Sequence, residues 1–314
     1  MKTALWGSID TVRRVYSAEA LAKIEEIAGE KPEVVEGFLP TDAEAVFTTW
    51  GMRSFPADEL RTVFPDLKYV FYAAGSVRAF AEPYLNAGVR IFSAWKANAV
   101  PVAEFTEAQI ILCGKRYFDV FTGAKGRVKG NYDLKVGLIG LGAVGRLTAE
   151  GLKKHRLKVL AYDKFLDDSG FEKAGAVKAG LEEIFAGCDV ISNHLADNPE
   201  TRGMISRELL SLMKKDAYFI NTGRGAQVDH DALYDVMKAE PERTCLLDVT
   251  YPEPLPEDHP LRTLKNVIIS PHIAGSAGTE VERMGDYMAG EFERVLTGGE
   301  PLFEVTREML GVMA

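Results

Sequence analysis

Three cysteines in 314 residues, Cys113, Cys188 and Cys245, with no C-x-x-C spacing among them, argue against a disulfide framework and against a metal centre. They read as buried thiols of a reducing cytoplasm. No apolar run approaches the roughly 20 residues that a membrane-spanning helix needs. The opening residues, MKTALWGSID, turn polar too early for a secretory signal. Basic residues are outnumbered by acidic ones, 37 to 46, and the resulting net charge of −9 leaves no broad basic surface for nucleic acid. Blocks of like charge, low-complexity segments and repeats are also missing. What is present, 46% hydrophobic and 26% charged residues, suits a soluble globular protein of two domains whose partners are small molecules.

The most informative stretch runs from Lys135 to Asp163. Val136 to Ile139 is a short apolar run that ends in Gly140-Leu-Gly142-Ala143-Val144-Gly145, a G-x-G-x-x-G turn placed between a strand and a helical pattern (Leu147, Leu152, Leu157). In such a turn the first glycine permits the bend, the second lets the backbone approach a pyrophosphate, and the third lets helix pack on strand; the helix N-terminus offers free N–H groups to phosphate. Lys158 to Tyr162 reads as a second strand ending on Asp163, 18 residues past Gly145. A carboxylate there hydrogen-bonds an adenosine ribose and repels a 2′-phosphate. NAD(H) is therefore expected in preference to NADP(H), with Lys164 directly beside Asp163 keeping NADP(H) open.

Ahead of this unit, apolar runs at Thr3 to Trp6, Ala45 to Thr49, Tyr69 to Ala73 and Arg90 to Phe92 alternate with helical patterns, one of them capped by Ser17. A long helical pattern from Asn98 to Phe121, with Pro101 in its first turn, leads through a solvated loop, Gly123 to Asp133, to the dinucleotide unit. Further strands are expected at Val190 to Ser192, Tyr218 to Ile220, Cys245 to Val249 and Val267 to Ile269, and a last helix at Gly278 to Leu296. The expected fold is α/β: a Rossmann dinucleotide-binding domain, residues 98–285, inserted in a flavodoxin-like substrate domain, residues 1–97 and 286–314. Two hinge crossings around a cleft would suit closure on a substrate.

Polar groups at the ends of the later strands are candidates for chemistry, because ligands of open α/β sheets gather there. Arg224, between Gly223 and Gly225, is either a surface arginine in a turn or a bidentate holder of a carboxylate. Glu253, between Pro252 and Pro254, is either a solvated loop acid or a rigidly placed one. His272 follows the strand Val267 to Ile269, and histidine is the side chain that trades a proton near neutral pH; it too can be structural. His155, His194, His230 and His259 read as structural. Together, a carboxylate anchor, a proton carrier and an acid to tune it are what oxidation of a hydroxy acid by NAD requires.

These residues lie in GLIGLGAVG (Gly137 to Gly145), HLADNPETRGMI (His194 to Ile205), INTGRGAQVDHDAL (Ile220 to Leu233), LDVTYPEPLPEDHPL (Leu247 to Leu261) and NVIISPHIAG (Asn266 to Gly275). In order and spacing the chain resembles the D-isomer-specific 2-hydroxyacid dehydrogenases over nearly its whole length. The resemblance implies that Arg224 binds the substrate carboxylate and carbonyl, that His272 is the acid/base, and that Glu253 is its partner. It implies that Asp248 contacts the nicotinamide carboxamide, that backbone N–H groups of Ala74 and Gly75 help hold the carboxylate, and that Asn98 lies at the hinge. It further implies a homodimer acting on a small 2-oxo or 2-hydroxy acid, to which the charge, cysteine and hydropathy readings add a cytoplasmic location without nucleic acid, membrane or metal. The corepressor-like relatives of that family, which sense NAD(H) instead of turning over substrate, are the alternative. Two departures stand out: Ala196-Asp197-Asn198 replaces a common Pro-Leu-Thr, and Ala73-Ala74-Gly75-Ser76-Val77 replaces a common Gly-x-Gly-x-Asp, which implies an unusual substrate pocket. Trp50 and Trp95 read as core residues or as lining of that pocket.

Overall fold

A computed structural model describes residues 1–311 and divides them into two compact units, residues 1–99 with 276–311 and residues 100–275. The first unit holds β1 (Thr3–Gly7), β2 (Glu33–Glu36), β3 (Ala45–Thr48), β4 (Tyr69–Tyr72), β5 (Arg90–Ser93) and, from the far end of the chain, β13 (Glu304–Val305). Their order is β13-β5-β4-β3-β1-β2, parallel except for β13. That is the flavodoxin-like order with one antiparallel edge strand added. Strands β1 and β3 are buried at every position, as strands covered on both faces must be. One face carries Phe47, Phe71 and Phe92 in register across three strands, with ring centroids 5.1 and 4.9 Å apart, and Phe292 closes the stack edge-on. The other face is built on Trp6, Val46, Val70 and Ile91.

The second unit holds β6 (Lys135–Ile139), β7 (Lys158–Tyr162), β8 (Val177–Lys178), β9 (Val190–Asn193), β10 (Tyr218–Asn221), β11 (Thr244–Leu247) and β12 (Val267–Ile269). They form one parallel sheet in the order β12-β11-β10-β9-β6-β7-β8. Counted from β6, this is the doubly wound order 3-2-1-4-5-6 with a seventh strand, and the order reverses between β6 and β9.

Several details correct the reading from sequence. The second crossing falls at 275/276, not at 285: Gly285 lies inside the helix Glu280–Leu296, and a Cβ there would overlap the Val15 carbonyl, so that helix is packed on the first unit along its length. The first crossing falls after Ala99. The helix expected over 98–121 starts at Trp95 and stops at Gly114, which moves Pro101 from the first turn to the second. Arg116 then adopts a left-handed backbone, φ 53°, and its buried guanidinium binds Asp119 and the carbonyls of Asp216 and Glu242 at 2.8 and 2.9 Å before a short helix, Asp119–Thr122, resumes. Strand β11 ends at Leu247 rather than Val249 because Asp248 turns inward to serve a loop. Leu147 is exposed, and its helix ends at Leu152, so Leu157 lies outside it.

Among the described residues no helix is long and apolar enough to cross a membrane, and no group of three or more His, Cys, Asp or Glu is placed to hold a metal ion. The three cysteines are unpaired and buried.

Candidate active site

All the chemistry-bearing strand ends of the second unit lie at the carboxyl edge of its sheet. At the switch point, β6 delivers the glycine turn. Gly140 has φ +94°, and a Cβ on it would lie 2.9 Å from the His194 carbonyl oxygen of the neighbouring β9 end. At Gly145 a Cβ would overlap the Gly140 carbonyl, whereas at Gly142 it would meet nothing within 4 Å. The second glycine thus leaves open backbone beside the helix Ala143–Leu152, whose N-terminus has no side-chain cap. A pyrophosphate fits such a cradle, with the N–H groups of Gly142, Ala143, Val144 and Gly145 around it. Asp163, at the end of β7, accepts the Leu141 N–H at 2.8 Å on one oxygen and the N–H groups of Phe165 and Leu166 at 2.9 and 3.2 Å on the other. A carboxylate has about four acceptor sites, so one remains for a ribose hydroxyl. The neighbouring Lys164 is drawn away to Glu200, at 2.5 Å.

At the end of β9 the half-buried His194 has its Nε2 3.0 Å from the Ser192 hydroxyl, and desolvation of the ring pushes its pKa down to about 4. The ring is neutral at neutral pH and does structural work at the β9 end.

The turn after β10 presents Arg224, and a buried amide network beneath it sets its shape. Asn193 Nδ2 donates to Asn221 Oδ1 at 3.0 Å and to Gln227 Oε1 at 2.5 Å. Gln227 Oε1 also accepts the Arg224 N–H at 3.2 Å, Asn221 Nδ2 donates to the Arg224 carbonyl at 3.1 Å, and Gln227 Nε2 donates to the Leu195 carbonyl at 2.7 Å. With every amide satisfied, the turn is held from both sides. The guanidinium donates one Nη1 bond to the Gly223 carbonyl at 2.7 Å. Burial lowers its pKa, and the carboxylates of Glu253 and Asp197 act the other way; at an arginine's ordinary value the group stays charged.

Asp248 follows β11 and is 3% exposed. One oxygen accepts the Ser270 hydroxyl at 2.6 Å and the Ile273 N–H at 2.9 Å; the other accepts the Ala274 N–H at 2.9 Å. The carboxylate is thus the anchor of the 270–274 loop, with one acceptor site left for a carboxamide. That loop carries His272 at φ +54°, its N–H donated to the Asp248 and Ser270 carbonyls, both at 3.0 Å. The His272 Nδ1 meets Glu253 Oε1 in a short contact, with the two side chains 49% and 39% exposed. Glu253 orients the ring through Nδ1 and leaves Nε2 directed away from it, available for proton exchange.

Gly225 is the contact between the two loops: a Cβ there would overlap the Thr250 carbonyl group. Because the obstacle is backbone, Gly225→Ala forces the Arg224 turn and the Thr250–Glu253 loop apart. We expect a loss of about 1–3 kcal/mol in stability, read from a denaturant melt, together with a fall in kcat/KM.

Asn98, expected at the start of the second domain, falls in the first unit; its Oδ1 accepts the Ser276 N–H at 3.1 Å, and its Nδ2 stands 3.2 Å from where a Gly75 Cβ would be. The Ala74 N–H is donated to the Tyr72 carbonyl at 2.9 Å within the turn; the Gly75 N–H makes no such bond among the described residues. Ser93 Oγ donates to the Ala74 and Gly75 carbonyls at 3.0 and 2.6 Å and fixes this turn. Trp50 is 39% exposed, not core, while Trp95 opens a helix with a buried, unpartnered Nε1. Ser93, Asn193, Gln227 and Ser270 escaped the sequence reading. Their common signal is a polar residue at the end of an apolar strand or a few residues past it.

A doubly wound unit with a glycine cradle, an acid at the end of its second strand and a histidine–carboxylate pair beside an arginine turn defines a dinucleotide-dependent oxidoreductase architecture. Residues 117–274 match the family "D-isomer specific 2-hydroxyacid dehydrogenase, NAD binding domain". The chain belongs to that family, and NAD(H) is its cofactor. It is similar to the D-3-phosphoglycerate dehydrogenase of Methanocaldococcus jannaschii, 30% identical over 69% of this chain and 43% of the relative. It is similar also to the glyoxylate reductase of Thermofilum pendens, 34% identical over 67% of this chain and 66% of the relative. The matched part of the chain thus spans 43% to 66% of the length of these relatives. A solved D-lactate dehydrogenase with NAD+ from Lactobacillus jensenii has a TM-score of 0.76 and 21% identity, covering 98% of this chain and 100% of that one, a likeness of fold.

Proposed function

We propose that this chain interconverts a small 2-oxo acid and its D-2-hydroxy acid, with His272 as the acid/base. The observation that carries this reading is the His272–Glu253 pair standing beside the Arg224 turn at the ends of three adjacent strands. When bound, NAD(H) supplies or accepts the hydride. In reduction His272, its ring oriented by Glu253, gives a proton to the carbonyl oxygen while Arg224 polarises that oxygen and holds the carboxylate; in oxidation the imidazole takes the proton back. Asp248 fixes the histidine loop and offers its remaining acceptor site to the nicotinamide carboxamide. Gly75 and Asn98 are proposed to contact substrate. The reading includes a cytoplasmic homodimer, and the exposed Val120, Phe121, Val128 and Tyr132 support its dimeric part.

The test is NADH oxidation by the purified protein with a panel of 2-oxo acids, from glyoxylate and hydroxypyruvate to phenylpyruvate, repeated with NADPH. Turnover of one acid names the substrate group. Tight NADH binding without turnover of any would favour the NAD(H)-sensing alternative.

Cofactor choice yields a separate expectation. Asp163→Asn removes the negative charge that faces a 2′-phosphate while keeping one oxygen for Phe165 and Leu166. The ratio of kcat/KM with NADH to that with NADPH falls by about 10–100-fold, as relief of a like-charge juxtaposition predicts. An unchanged ratio would remove Asp163 from the ribose site.

A further inference from the structure

His230 opens the helix His230–Ala239, and its ring touches two of the loops that form the site. Nδ1 lies 2.9 Å from the Val228 carbonyl oxygen and must donate to it. Nε2 lies 3.2 Å from the backbone nitrogen of Tyr251, which can only donate, so Nε2 must accept. The two contacts are compatible with one state of the ring, the neutral form carrying its proton on Nδ1. Each contact ends on a functional loop. Val228 closes the Arg224 turn, its N–H donated to the Gly225 carbonyl at 3.0 Å. Tyr251 stands two residues before Glu253, in the segment whose Thr250 backbone abuts Gly225.

We propose that His230 is a positioning residue for the acid–base pair: in its neutral Nδ1–H form it ties the Tyr251 backbone, and with it the Glu253 loop, to the Arg224 turn. This rests on the functional reading above and deepens it. Protonation would set an Nε2–H against the Tyr251 N–H and break the strut. Burial of the 9% exposed residue disfavours that charge, and the His259 ring, edge-on with centroids 6.4 Å apart, acts in the same direction, as does the helix N-terminus. The Val228 carbonyl and the carboxylates of Asp229 and Asp231 act the other way, and the balance is a pKa below the ordinary 6.5. The strut is therefore intact at neutral pH and is lost as pH falls through that lowered value. Loss of the strut would make the reduction rate fall on the acid side.

The experiment pairs ring-nitrogen NMR of His230 in the intact protein with kinetics of wild type, His230→Ala and His230→Gln. The expected spectrum shows a protonated Nδ1 and a bare Nε2 at neutral pH. His230→Ala should lose about tenfold in kcat, the worth of one hydrogen bond, with the KM for NADH within about twofold. His230→Gln, which keeps an acceptor for Tyr251, should recover most of that loss, and its reduction profile should lack the acid-side fall of wild type. An Nε2–H or charged ring at neutral pH would overturn the proposal, as would a His230→Gln profile identical to wild type. If His230→Ala does not fold, the glutamine variant and the spectrum decide. If wild type reduces no 2-oxo acid, the functional reading fails, while the spectrum still decides whether the strut exists.

Discussion

Replacing His272 with asparagine should lower kcat for 2-oxo acid reduction by about 10²–10⁴-fold, the usual worth of a positioned general acid. The substitution is chosen because asparagine tolerates the left-handed backbone that His272 occupies, φ +54°, so the loop survives. Asp248 goes on holding Ser270, Ile273 and Ala274, and the glycine cradle is untouched. NADH affinity, followed by fluorescence titration, should therefore change little while turnover collapses. A loss confined to kcat and kcat/KM together marks an interaction made in the transition state. Unchanged turnover would sink the assignment of the acid.

Arg224→Lys should cost nearly as much, about 10²–10³-fold in kcat/KM for the 2-oxo acid. Two hydrogen bonds from a charged donor to a carboxylate are worth roughly 1.5–3 kcal/mol each, and a lysine forfeits the planar fork that makes both at once. Arg224 spends one Nη1 bond on the Gly223 carbonyl, which orients the remaining edge of the guanidinium. Lysine keeps the charge but has no second arm with which to hold that orientation. The reading is a raised KM for the 2-oxo acid beside an unmoved NADH affinity. A variant indistinguishable from wild type would return Arg224 to the status of a turn residue.

Much of the second unit was legible because its signals are local. Strands β7 and β12 fall where their apolar runs lie, and the glycine turn needs only a strand before it and a helix after it. Strand β2, Glu-Val-Val-Glu, was invisible: one of its four residues is buried, so an edge strand showed no apolar run. The break after Gly114 was hidden because its cause is a buried arginine bonded to carbonyls 100 and 126 residues away. The site shows the same division. Arg224, Glu253 and His272 could be picked out one by one, but the amide network under Arg224 joins side chains 28 and 34 residues apart, and nothing in either segment announces the other. Asp248 was legible as a candidate; its service to the histidine loop was not. His230 looked structural because a histidine's role is set by what its two nitrogens touch.

The left-handed backbone of His272 has a consequence for the protein as a folded object. A non-glycine residue there carries roughly 1–2 kcal/mol of conformational penalty, which the Asp248 anchor offsets. A glycine at the same position relieves the penalty and removes the imidazole, so His272→Gly would be a better-tolerated backbone with no acid. If His272 is the proposed acid, selection for folding alone and selection for turnover pull apart at this position, and the histidine is held against its own conformational preference for the sake of that role.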